Sequence, residues 1–341
     1  MKLKKRLPLP LCLIALPVSV LVCLCVGTVP VSAGVTVDVL RRALLGLEQP
    51  DTAAAAILLS VRLPRVLCAA LSGAALSVCG AAMQGLLRNP LADGSTLGVS
   101  SGASLGAVLA LLLGLSFPEL PFSGTMLMAC LFAFLSMTAV LLLSWRMDRS
   151  LATGTIVLIG VVFSMFVSAL LNLLITFAGD RLRTITFWTM GSLASASYAN
   201  AAVLTVVFTV CFPLLWGCGG ALDALTMGEE QASHLGVAVR RVRLTVMIAA
   251  SVLIGVCVAI GGCIGFVGLV VPHMLRLTAG PAHRRLLPLS ALGGAVFLLW
   301  CDLAARTLLS PLVLPVGTVT SLIGAVVFLV IFVRSRRVGR A

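Results

Sequence analysis

Apolar residues run along this chain in long blocks, such as 202–216 and 322–333, with no alternation between apolar and polar positions. A helix crosses a hydrocarbon core of roughly 30 Å with about 20 such residues. Blocks and breakers together predict spans at 7–29, 64–83, 95–115, 122–145, 152–177, 199–217, 243–262, 264–276, 286–305 and 316–333. The eighth is short and flanked by glycines. Transmembrane barrels are written in alternating dyads, so helices must satisfy the backbone here. The expectation is an all-α, polytopic chain of about ten transmembrane helices, with residues 1–341 forming one membrane domain. No large soluble domain fits beside them.

Composition agrees: 60% of residues are hydrophobic, 10% are charged, and the mean hydropathy is +1.17. The charge of +13 is scattered over several loops, with no basic face interleaved with aromatics, so a nucleic-acid partner is not indicated. Topology and anionic lipid headgroups account for it. With the N-terminus inside, 17 of the 24 Lys and Arg fall on inner segments, among them Arg88, Arg146, Arg241 and Arg284. The outer segments hold Arg41, Arg42, Arg62, Arg65, Arg181, Arg183 and Arg306. Both termini are therefore expected in the cytoplasm. The opening MKLKKR, an apolar run and Val31-Ser32-Ala33 imitate a cleavable signal, but the run from Leu7 to Val29 exceeds a signal h-region and is long enough to span.

Candidate chemistry is sparse. The eleven cysteines lie in or beside apolar runs with no Cys-x-x-Cys pair, and read as small packing residues. His234, His273 and His283 have no metal-binding spacing, and no Gly-x-Ser-x-Gly elbow is present. His273 is expected to hydrogen-bond a loop carbonyl. No cofactor is called for. All three lysines lie within the first five residues, so a Gly-x-x-x-x-Gly-Lys-Ser/Thr phosphate loop cannot exist. If ATP drives this protein, a separate subunit must hydrolyse it.

The most polar long inner segment, 218–242, contains ALDALTMGEEQASHLGVAVRRV, with Leu225, Gln231, Leu235 and Val239 near helical spacing and breaks at Gly228 and Gly236. One or two short amphipathic helices are expected there. They either dock into another protein's groove or form a solvated connector on the headgroups. Gly98, Gly102 and Gly106, with Gly73 and Gly80, predict close helix packing. Gly261-Gly262, Gly265, Gly268 and Pro272 predict a tight outer turn before the short eighth span. Asp302 is the one acid inside an apolar run, one turn before Arg306, with which it is expected to pair.

RLPR at 62–65, GAAMQGLLRNPLADGSTLGVSSGA at 80–103, MGEEQASHLGV at 227–237, GFVGLVVPHMLR at 265–276, HRRLLPLSALGGA at 283–295 and LPVGTVTSLIGAVVF at 314–328 resemble the FecCD-type permeases. These are the membrane subunits of ABC importers for iron-siderophore complexes, cobalamin and haem. The resemblance implies a fold like that of cobalamin-importer permeases, in the inner (cytoplasmic) membrane. It implies a permease dimer, with a second copy or a paralogue, two ABC ATPase subunits inside and a substrate-binding protein outside. It makes Asp223, Gly228, Glu229, Glu230, His234 and Gly236 part of an ATPase-coupling segment. Arg62, Arg65 and Arg306 match residues that receive acidic groups of the binding protein, and Thr153 and Gly154 resemble the cytoplasmic gate. Two positions depart: the usual Glu is Val313, at the outer rim, and the usual Pro is Val326, in the last helix.

The mechanism so implied is alternating access driven from the cytoplasm, through a conduit with little chemistry of its own. An ion-coupled secondary transporter would display intramembrane carboxylates for its coupling ion. Siderophore, corrinoid and haem carriers share these motifs, so the cargo stays open, iron-siderophore being the first expectation.

Overall fold

The computed structural model describes residues 8–94, 98–115, 124–149 and 152–338, with side chains as far as 330. Lys2, Lys4, Lys5, Arg6, Glu119 and Arg340 lie outside the described residues. Among the described residues the chain is helical and contains no strand: α1 (Pro8–Cys25), α2 (Ala33–Leu45), α3 (Ala53–Ala56), α4 (Leu63–Leu86), α5 (Val99–Leu113), α6 (Gly124–Met147), α7 (Thr153–Thr176), α8 (Leu182–Thr189), α9 (Tyr198–Gly217), α10 (Gly219–Leu225), α11 (Glu229–His234), α12 (Val239–Gly261), α13 (Val267–Ala279), α14 (His283–Thr307) and α15 (Val316–Val338). Six long apolar helices and four shorter ones fall in order on the ten predicted spans.

The differences lie at the outer connections. The second span is not 64–83 but a continuous helix, Ala53–Leu86. It starts early because Thr52 caps four alanines by accepting from the Ala55 N–H at 3.3 Å. The π-helical turn Ile57–Arg62 then leads into Pro64, whose missing N–H could not continue a regular ladder. The connection before it carries α2, which the span pattern does not anticipate. A 3₁₀ turn and α8 occupy the outer connection after α7. Arg181 in that turn points its guanidinium at the Leu111 and Leu112 carbonyls, which close the C-terminus of α5.

Burial separates scaffold from lipid-facing helices. The apolar windows of α3–α4 and α12 are 83% and 78% buried, against 22% for α7 and α9, so α4 and α12 are the pillars of the bundle. Small residues allow this: α4 crosses α14 at Gly73 against Gly294 and α13 at Gly80 against Gly268. Gly102 and Gly106 likewise bring α5 onto the Phe132 and Met128 backbone of α6. The turn into α13 is as tight as expected, with Gly262 and Phe266 both at positive φ, +68° and +67°. His273 does not follow its expectation; its ring lies against Phe328 of α15, centroids 5.8 Å apart. All eleven cysteines are free.

Candidate functional site

At the end that the charge count assigns to the cytoplasm, segment 218–242 folds into α10 and α11 between the long helices α9 and α12. Gly228 at φ +124° and Gly236 at φ +82° set the two ends of α11. The backbone at Gly228 lies where L side chains are strained, so this break favours glycine.

Two carboxylates fasten the segment inward. Asp223, late in α10, accepts from the His283 backbone N–H at 2.9 Å and meets its ring Nδ1 at 2.6 Å, which caps the first turn of α14 from a different element. Glu229, the first residue of α11, accepts from the buried Arg243 of α12 at 2.6 Å through Oε1. The same oxygen accepts from the Thr153 hydroxyl, at the start of α7, at 3.1 Å. The expected gate residue and an expected coupling residue thus touch. Gly154 beside them is exposed, and a Cβ there would meet nothing within 4 Å.

The opposite side of α11 is free. Met227 and Leu235 are 69% and 67% exposed, with Glu230, Gln231 and His234 exposed between them. The residues singled out by sequence therefore divide: Asp223 and Glu229 turn inward, Gly228 and Gly236 shape the ends, and Glu230 and His234 face out. The helical spacing of Leu225, Gln231, Leu235 and Val239 does not make one face, because Leu225 is buried in α10 while Gln231 and Leu235 are exposed. Sequence gave no sign of the Arg243 and His283 partnerships, which join residues 14 and 60 positions apart. Met227 was legible only as an apolar residue in an otherwise polar run.

At the other end, Arg62, Arg65, Asp302 and Arg306 come together. Arg65 grips Asp302 through Nε at 2.9 Å and Nη2 at 2.8 Å, while Arg306 Nε lies 3.2 Å from the second carboxylate oxygen. The expected Asp302–Arg306 pair is present; the stronger, bidentate partner is Arg65, 237 positions away. Arg306 also donates to the Cys23 carbonyl at 2.7 Å. Arg62 donates to the carbonyls of Leu24 at 2.6 Å and Cys25 at 3.0 Å, and to that of Val29. Cys23, Leu24 and Cys25 lie in the last turn of α1, where helix carbonyls favour cations, and Val29 lies just beyond it. Arg62 and Arg306 are only 4% and 6% exposed, so both are committed to holding α1. Three guanidinium groups against one carboxylate still leave this rim positive.

Between the two ends lies a cavity of about 270 Å³, lined by Asp93, Ser100, Ser104, Ser168, Cys263 and Phe266 among others. Ser104 Oγ and Cys263 Sγ are 3.0 Å apart across it. Among the described residues no group of three or more His, Cys, Asp or Glu comes together as a metal site would require.

A helical bundle with a small cavity of mixed apolar and serine lining, a positive rim at one end and a short, fastened helix with an exposed apolar edge at the other defines a membrane permease subunit. The FecCD transport family model matches residues 14–334, and the chain belongs to that family. It is 44% identical over 285 residues to YvrB of Bacillus subtilis (strain 168), an uncharacterized ABC transporter permease protein, covering 84% of this chain and 81% of that one. It is 42% identical over 282 residues to the vitamin B12 import system permease protein BtuC of Vibrio vulnificus (strain CMCP6), covering 82% and 83%. A solved structure described as an inward-facing conformation of a metal-chelate type ABC transporter superposes with a TM-score of 0.83 at 32% identity, covering 95% of this chain and 97% of that one. The chain is accordingly the permease component of an ABC importer, and its ATPase is a separate subunit.

Proposed function

We propose that this permease carries a metal-chelate complex inward across the cytoplasmic membrane, with an iron-siderophore as the first cargo to test and cobalamin or haem as the alternatives. It works as half of a dimer, with a second copy or a paralogue. Two ATPase subunits sit on its cytoplasmic side and a substrate-binding protein on its outer rim. The exposed edge of α11 carries the reading: Met227, Glu230, Gln231, His234 and Leu235 offer an apolar and polar surface to a groove, while Asp223 and Glu229 anchor the same segment to the bundle. The cavity is small and its polar groups are mostly serine hydroxyls, which suits a weakly binding conduit whose selectivity resides in the binding protein.

Met227→Glu with Leu235→Glu tests the docking. The double variant is expected to fold and insert normally, since both side chains are exposed, and to lose co-purification of the ATPase. Normal co-purification would sink the assignment of this edge. Topology is tested with single cysteines at Arg241, Arg284 and Arg181 and an impermeant thiol reagent; 241 and 284 are expected to label only from inside and 181 from outside. Labelling of 241 from outside would invert the whole reading. Cargo is decided by titrating the cognate binding protein with ferric siderophore, cobalamin and haem.

The outer arginines act on the binding protein through the positive field of the rim, Arg65 being the least buried of the three. Charge reversal of Arg62 and Arg306 would also release α1, so it does not isolate docking.

A further inference from the structure

We infer that Glu229 is the positioning residue through which movement of the docked α11 reaches the inner end of α7. The inference rests on the docking reading above and goes beyond it. Its starting point is one carboxylate oxygen with two donors on two different helices. Arg243, 3% exposed in its side chain, fixes the carboxylate to α12, a scaffold helix. The Thr153 hydroxyl joins it to the first residue of α7, a helix whose apolar window is only 22% buried. The two attachments differ in what they can hold. A buried guanidinium at 2.6 Å from a carboxylate is a strong, charge-assisted bond, whereas one neutral hydroxyl at 3.1 Å is weak and easily exchanged for water.

The position of the carboxylate adds a second interaction. Glu229 lies at the positive end of the α7 macrodipole, where a negative charge is favoured within the first turn. The bond from α7 to Glu229 runs through the Thr153 side-chain hydroxyl and not through a backbone N–H of the first turn, and Asp148 separately fixes the approach to the helix by accepting from the Ala152 N–H at 3.0 Å. Helix formation therefore does not need Glu229, and the contact is free to be made and broken without unwinding α7. A rocking of α11 pivots on Arg243 and either retains or withdraws the carboxylate from Thr153. Because α7 has few partners, its inner end is the part of the bundle that such a small displacement can move.

Gly154 provides the readout, since it is exposed and a side chain there would touch nothing. In the assembled permease–ATPase complex in inside-out vesicles, Gly154→Cys is labelled with an impermeant maleimide with and without ATP and vanadate. The native free cysteines, measured in the same protein without the substitution, set the background. Labelling at 154 is expected to change with nucleotide state. Adding Thr153→Val is expected to abolish that change and to cut ATP-driven uptake roughly tenfold, an ordinary size for coupling between two sites. The ATPase should still co-purify. Thr153→Ser keeps the donor and is expected to restore both readings. If Thr153→Val leaves the nucleotide-dependent labelling intact, or if Thr153→Ser fails to rescue, the inference is overturned. If no ATPase co-purifies with the unmutated permease, the docking reading fails instead, and the two failures are told apart.

Discussion

Gly80→Leu is expected to leave no folded permease. A Cβ at position 80 would fall inside the carbonyl and Cα of Gly268, where the obstacle is backbone that cannot rotate away. Ordinary overpacking costs about 1–3 kcal/mol when side chains can adjust. Here two helix axes would have to separate. The damage would spread, because α4 and α13 are joined at the same place by Gln84, whose amide donates to the Gly268 and Leu269 carbonyls at 3.1 and 3.3 Å. Gly268 also lines the cavity beside α5, so even a partly folded product would have that cavity deformed. The measurement is the monodisperse fraction after detergent extraction, by size-exclusion chromatography of a fluorescent fusion. Gly154→Ala is the control and should elute as the unmutated protein does, since its new methyl group meets nothing. A monodisperse Gly80→Leu would show that this crossing is looser than its geometry implies.

That crossing was legible as a tendency but not as a pairing. Glycines at helical spacing announce that some backbone will approach closely; they do not name it, and Gly73 and Gly80 meet two different helices, α14 and α13. The ten apolar segments were readable because bilayer thickness fixes their length. The short outer helices were not, since α2 and α8 answer to local capping and to neighbours, not to the bilayer. The breaks at Gly228 and Gly236 were readable for a chemical reason: both sit at positive φ, which side chains resist. The division of segment 218–242 into an anchored side and an exposed side was hidden. Glu229 and Glu230 are neighbours of identical chemistry, and only the placement of Arg243 and Thr153 makes one an anchor and leaves the other exposed.

The same asymmetry separates the two ends of the molecule mechanically. At the α11 end the Glu229 carboxylate is held firmly by the buried Arg243, but its link to α7 is one neutral hydroxyl, a contact that can exchange with water. At the outer end Asp302 is 1% exposed and Arg62 and Arg306 nearly as buried, so these contacts cannot open without leaving charges stranded. Of the two ends, the contact between α11 and α7 is therefore the one that opens at less cost.

Asp302→Leu is expected to be the most damaging single change at the outer end. It strips both Arg65 and Arg306 of their carboxylate while leaving them in a nearly dry site. Removing one partner from a buried ion pair costs about 3–5 kcal/mol, because the surviving charge is uncompensated. The second consequence is positional. Arg306 holds the Cys23 carbonyl at the end of α1, and without Asp302 its guanidinium is free to leave for water and take that contact with it. Thermal unfolding in detergent should show the destabilisation, and limited proteolysis should find the connection after α1 newly open. The test that separates stranded charge from lost packing is the double variant Arg65→Met with Asp302→Leu. It removes the bidentate pair together and is expected to be more stable than Asp302→Leu alone, since apolar replacements of a buried pair are often close to neutral. The rim also loses one positive charge relative to Asp302→Leu, so the double variant should attract an acidic partner less strongly at low ionic strength while folding better. Stability and docking would then move in opposite directions. If both fall together, the cluster acts only as a brace for α1, and its charge has no part in receiving substrate.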